Sequence, residues 1–233
     1  MALPLYLAMT AREFAAGYPA DGHLAWMACH FACYETGLDN LPTALPGGAM
    51  LIVNDRVPIC GHDPILIAEQ LADLAERFSC SGILLDFQCP DDAALASLCR
   101  SLSKIPGCPV GVCGLYAKEL DCPVFLPALP LRIPLSNHLS PWCGREVWLE
   151  VAVEGQQATV TEDGTHICAA PIRPLETPVC HDTKLHVRYH WQYVEKTAQF
   201  QIQRTREELG GLLAEAADLG VTRAIGLYQQ LKE

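Results

Sequence analysis

The residues best placed to do chemistry sit at the ends of apolar runs. Asp86 is the clearest, because Gly82-Ile-Leu-Leu-Asp-Phe-Gln88 is otherwise apolar on both faces as far as the carboxylate. A carboxylate there must face a polar cavity or be hydrogen-bonded, since burying it unpaired is costly. In a strand Asp86 and Gln88 share one face and Phe87 takes the other. Other polar residues at run ends are Thr10, Asn54, Asp55, Tyr116, Tyr193, Tyr228 and Gln229. A second unusual stretch is Lys184-Leu-His-Val-Arg-Tyr-His-Trp191, in which His186, Arg188 and His190 alternate with Leu185, Val187, Tyr189 and Trp191. Such a row inside a barrel would bind an anion or a polar ligand. Its two histidines, four apart on a strand, lie ~13 Å from each other and cannot chelate one metal.

Metal and disulfide chemistry have little support. The twelve cysteines include no C-x-x-C pair, and the closest spacing is Cys29-x-x-x-Cys33. No zinc site and no other cofactor is therefore expected. The start Met1-Ala-Leu-Pro-Leu-Tyr6 has no basic segment and no long apolar stretch, so no export signal is read there. The expected setting is a reducing cytoplasm, with cysteines serving as small buried apolar residues. With 16 basic against 27 acidic residues the net charge is −11. That makes nucleic acid and anionic membrane poor partners. A small glycan or other polar small molecule is the expected partner, and nothing in these patterns encodes an oligomeric state.

These residues need elements to hold them. Half of the 233 residues are hydrophobic, enough for a substantial core. Thr10-Ala-Arg-Glu13 fits a capping box. Asp63-Pro64 reads as an N-cap followed by proline at the first helical position. Ile67, Leu71, Leu74 and Phe78 then recur at helical spacing. Asp91-Asp92 caps a second helix with Leu95, Leu98, Cys99 and Leu102 on one face. Thr205-x-x-Glu208 opens a third, which Gly220 stops. Between them run apolar strands expected near 3–9, 23–33, 49–54, 82–88, 109–116, 123–129, 185–193 and 222–229. Strands apolar on both faces and fed by helices imply a parallel sheet covered on both sides. The fold class is α/β: a compact (β/α)8-like (TIM) barrel forming one domain over residues 1–233, with a small antiparallel β-meander inserted at 145–170. A doubly wound open sheet is the alternative. It would want a glycine-rich phosphate turn, and no G-x-G-x-x-G is present.

Ser81-Gly-Ile-Leu-Leu-Asp-Phe-Gln88, following an amphipathic helix, resembles the fourth-strand motif D-G-x-D-x-D-x-E of family 18 glycoside hydrolases, the chitinase-like barrels. Ser81 stands at the first Asp, Leu84 at the second, Asp86 at the third and Gln88 at the terminal Glu, while Gly82 matches. The resemblance implies a glycan substrate. It also implies that Asp86 orients the acetamido group and that position 88 holds the general acid. Gln88 has the shape of Glu but no transferable proton. The site then either finds another acid or binds without hydrolysing, as a carbohydrate-binding or structural barrel. Asp55 is the expected substitute acid, because it ends the strand before 82–88 and neighbouring strands lie ~4.8 Å apart. Two carboxylates so placed can be driven to different pKa values. Tyr116, Trp191 and Tyr228 would offer sugar-stacking faces, with Arg188 and His190 as further binding residues.

Overall fold

The computed structural model describes residues 3–33 and 36–232. Its strands, in chain order, are β1 (Leu5–Met9), β2 (His23–Phe31), β3 (Leu38–Asp39), β4 (Met50–Asn54), β5 (Gly82–Asp86), β6 (Val110–Cys113), β7 (Val124–Leu126), β8 (Val147–Glu150), β9 (Glu154–Thr161), β10 (Gly164–Ala170), β11 (Cys180–Asp182), β12 (Val187–Val194), β13 (Thr197–Arg204) and β14 (Val221–Leu227). The helices are α1 (Ala11–Ala16), α2 (Pro64–Arg77), α3 (Ala93–Leu102), α4 (Leu135–Leu139), α5 (Arg206–Asp218) and α6 (Tyr228–Leu231).

Eight parallel strands close a barrel in the order β1-β2-β4-β5-β6-β7-β8-β14, with β14 returning to β1. The sequence signals for its helices hold. The Asp63 carboxylate accepts from the Ile65 amide, with Pro64 opening α2. Asp92 caps α3 through the amides of Ala94 and Leu95. Thr10 and Glu13 form the expected capping box on α1. Glu208 reaches back to the Thr205 amide at 3.0 Å. Among the described residues, no long helix separates β2 from β4, β6 from β7 or β7 from β8, so the barrel is abbreviated there.

Two strand assignments need correction. Residues 147–150, expected in a meander, form the seventh barrel strand, between β7 and β14. Of residues 185–193, expected in the barrel, Leu185 and His186 lie in a turn and the rest belong to β12 of a separate five-stranded antiparallel sheet ordered β10-β9-β13-β12-β11. That sheet lies between β8 and β14 in the chain, so the antiparallel segment runs from Glu154 to Arg204 rather than over 145–170. The physical reason is visible in the residues. Barrel strands are buried on both sides, whereas β12 is exposed on both faces over its second half, Trp191–Val194.

Trp148, on β8, closes the barrel floor. It is fully buried and lies over Gly82 of β5 and Gly111 of β6. A Cβ built on Gly111 would sit 2.3 Å from the indole. The Arg223 guanidinium stacks 4.4 Å from the same indole and 5.5 Å from Tyr6, a favourable cation–π arrangement. The two glycines are there because the indole needs their side-chain space. Gly111→Ala should destabilise the fold by about 1–3 kcal/mol through overpacking, read as a lower urea midpoint. An unchanged midpoint would mean the floor is loosely packed.

All twelve cysteines are free thiols. Burial pushes Cys29 up to about 12 and Cys80 up to about 11, so these two act as apolar fillers rather than nucleophiles. Among the described residues, no helix is long and apolar enough to cross a membrane.

Candidate functional site at the barrel mouth

The C-terminal ends of β4, β5 and β8 bring Asn54, Asp86 and Glu150 around a cavity of about 100 Å³. Room for one water takes ~10–15 Å³ on this measure, so the space holds several waters or a polar substituent of a ligand. Its lower wall is apolar, formed by Ala8, Ile52, Leu84, Phe125 and Ile225, and the exposed Arg56 stands at its rim. On β5 the alternation places Gly82 over the floor indole, Leu84 in the wall and Asp86 at the top.

Asp86 and Gln88 share a face as expected. The Gln88 side-chain amide donates to Asp86 Oδ1 at 2.7 Å. Phe87 turns the other way into the core, fully buried against Phe31 and Tyr116. Burial raises the Asp86 pKa above the usual carboxylate range, and the nearby Asp55 charge adds to this. The Gln88 amide and the Arg56 charge oppose it. An acid whose folded pKa exceeds its unfolded value holds its proton more tightly in the fold. The ionised form therefore costs stability above the folded pKa, and that cost is relieved as pH falls through it. Asp86→Asn should thus melt at or above the wild-type temperature at pH 7.5, and the gap should close toward pH 4. A lower melting temperature at pH 7.5 would show that the carboxylate holds the mouth together.

Asp55 follows the end of β4, beside β5, and faces the loop after that strand. Its carboxylate accepts the Gln88 amide N–H at 2.9 and 3.1 Å and the Cys89 amide N–H at 2.7 Å. It anchors the loop after β5. Tyr116 serves the same loop: its hydroxyl donates to Cys89 O at 2.6 Å and accepts from the Asp92 amide at 3.1 Å. Tyr228 begins α6 and packs beside the core.

The row from β12 does not line this cavity. Arg188 lies 3.8 and 3.9 Å from the Glu207 and Glu208 carboxylates of α5. His190 is buried, with Nδ1 3.2 Å from the Pro178 carbonyl. Trp191 is half exposed and stacks on Phe200 across the sheet. The expectation that this polar face points into a barrel lumen fails, because β12 is not a barrel strand.

Glu150 is the mouth residue that sequence reasoning missed. It ends β8 and lines the same cavity as Asp86. Its Oε2 accepts the Ala128 amide N–H at 3.1 Å. Burial raises its pKa, the charges of Asp86 and Glu154 raise it further, and the Ala128 N–H opposes them. Among the described residues, neither Asp86 nor Glu150 is in a salt bridge. The signal was available: Val147-Trp-Leu-Glu150 is an apolar run ending in a carboxylate, the same pattern that marked Asp86.

No protein-family model matches the chain, and no curated protein matches it by sequence. Its fold is similar to several solved structures. The spore cortex-lytic enzyme SleL of Bacillus cereus superposes with a TM-score of 0.59 at 10% identity, covering 96% of this chain and 70% of that one. SleL of Bacillus megaterium gives 0.58 at 9% identity, covering 98% and 70%. A chitinase from Chromobacterium violaceum gives 0.53 at 10% identity, covering 98% and 95%. At such identities the likeness is one of fold, and function has to be argued from the site.

Proposed function

We propose that the mouth of this barrel is a glycan site of the family 18 glycoside hydrolase kind, with the motif's own general acid lost at position 88. The observation that carries this reading is the Asp86–Gln88 pair. Asp86 ends the fourth barrel strand beside an open cavity and Gln88 follows just past it, at the end of the resembled motif. The likeness of the whole barrel to a chitinase and to cortex-lytic enzymes supports the same reading. Gln88 can hydrogen-bond a sugar and steady Asp86, but its amide cannot protonate a leaving oxygen. Turnover therefore cannot use the motif's ordinary donor.

The test is calorimetric titration of the wild type and of Asp86→Ala with N-acetylglucosamine oligomers. Binding by the wild type is expected, with at least tenfold weaker binding by the variant and little change in melting temperature. Equal affinity in the two proteins would remove Asp86 from the site. Failure of the wild type to bind would remove the glycan reading.

A further inference from the structure

We infer that Glu150 is the proton donor of the mouth, so that the barrel hydrolyses its glycan with Glu150 in place of the acid missing at Gln88. This rests on the glycan reading above and adds the residue that performs the chemistry. Three carboxyls lie around the mouth, and the geometry separates their roles. Asp55 is committed to two backbone N–H groups of the loop after β5. Asp86 accepts from the Gln88 amide at 2.7 Å, which fixes one of its oxygens and opposes the rise that burial imposes on its pKa. Glu150 ends the seventh barrel strand, lines the cavity with Asp86, and accepts one backbone N–H through a single oxygen. Its other oxygen has no protein donor among the bonds of the described residues, so it can carry a proton and present it to a ligand.

The charged groups around Glu150 favour a retained proton. Asp86 faces it from β5 and Glu154 from the start of β9, and both are acidic. The nearest cations lie elsewhere. Arg204 pairs with Glu154 at 3.3 Å, and Arg56 stands at the rim nearer Asp86. Burial and these like charges shift Glu150 toward the protonated form that general acid catalysis uses.

The step balances with water as the only co-reactant. The Glu150 proton passes to the glycosidic oxygen as the C1–O bond breaks, and the bonding electron pair leaves with that oxygen. In the same step the substrate's acetamido carbonyl oxygen bonds C1, its N–H donating to the Asp86 carboxylate, and water then opens that ring at C1 and loses its proton to the Glu150 carboxylate. The products are a free hemiacetal and a free alcohol, and Glu150 ends the cycle protonated. Position 150 thus carries both proton transfers that the Gln88 amide cannot.

The experiment measures binding and turnover together, using an N-acetylglucosamine tetramer and the 4-methylumbelliferyl glycoside of a shorter oligomer. Wild type is expected to bind and turn over both. Glu150→Gln should fold, keep KM within about threefold and lose ~10²–10⁴ in kcat. The fall in rate at rising pH should vanish from its residual activity. Glu150→Asp should recover part of the rate, which a merely structural role would not predict. A Glu150→Gln variant with wild-type kcat overturns the inference. So does a wild type that binds the tetramer and hydrolyses neither probe, and in that case the glycan reading survives. No binding of either probe by the wild type defeats both.

Discussion

Replacing Arg204 with methionine should cost about 3–5 kcal/mol, the usual loss when one partner of a buried charge network is removed. Arg204, the last residue of β13, is fully buried. Its guanidinium donates to the carbonyls of Leu129 at 2.6 Å, Leu185 at 3.0 Å and His186 at 3.2 Å, and to the Glu154 carboxylate at 3.3 Å. Leu129 follows β7, Glu154 opens β9, and Leu185 and His186 precede β12. One side chain therefore ties the loop after a barrel strand to both ends of the antiparallel segment. Methionine keeps most of the volume and removes every donor, leaving three carbonyls unpaired and the Glu154 charge without its partner. The melting temperature should fall by on the order of 10 °C, and urea unfolding should give the free-energy loss. A loss below about 1 kcal/mol would mean that the antiparallel sheet holds its position without this residue.

Asp55→Ala should lower stability by about 1–3 kcal/mol and weaken glycan binding at least tenfold. A hydrogen bond to a charged group contributes ~1.5–3 kcal/mol, and partial exposure of Asp55 discounts the sum. The variant releases the amides of Gln88 and Cys89, and with them the backbone that aims the Gln88 side chain at Asp86. Asp55→Asn should recover part of both losses, because its amide oxygen can still accept one N–H. The contrast with Asp86 is the informative part. Asp55 is expected to matter for folding and for the site together, Asp86 for the site and not for folding. If Asp55→Ala melted like wild type yet abolished turnover, Asp55 would be the substitute acid that strand-end reasoning assigned to it, and Glu150 would not.

Most of the barrel was legible because its elements carry local signals. Asp63-Pro64, Asp92 and the Thr10 and Thr205 boxes mark helix starts by satisfying free N–H groups at those positions. The two-sided apolar runs mark parallel strands by burial on both faces. Seven of the eight barrel strands fall where those runs are. The eighth assignment failed through a competition between two short-range patterns. Val147–Glu150 is only four residues long and is followed at once by Glu154-Gly155, so it reads as the first leg of a meander. Val187–Val194 is longer and strand-like throughout, but its second half, Trp191–Val194, stands exposed in the antiparallel sheet.

That one exchange also explains what was seen and missed at the mouth. The rule that function sits at the C-terminal ends of barrel strands found Asp86 because β5 was placed correctly. The same rule applied to β8 points to Glu150, and applied to β12 it pointed to Arg188 and His190, which instead pack within the antiparallel sheet and against α5. The loop roles of Asp55 and Tyr116 were hidden for a different reason. Both depend on where the backbone of residues 88–92 runs after the strand ends, and no residue pattern within that loop encodes its path. The barrel floor was hidden likewise, since Gly82, Gly111 and Trp148 are brought together by strand register alone.

A glycan site at the barrel mouth predicts where a ligand touches the protein. Backbone amide spectra of the isotope-labelled protein should be recorded as the N-acetylglucosamine tetramer is added. The expected shifts gather at Asn54, Asp86, Gln88 and Glu150, saturate together, and are lost in Asp86→Ala. Saturable shifts confined to the antiparallel sheet around Trp191 and Phe200, with the mouth residues unmoved, would contradict it.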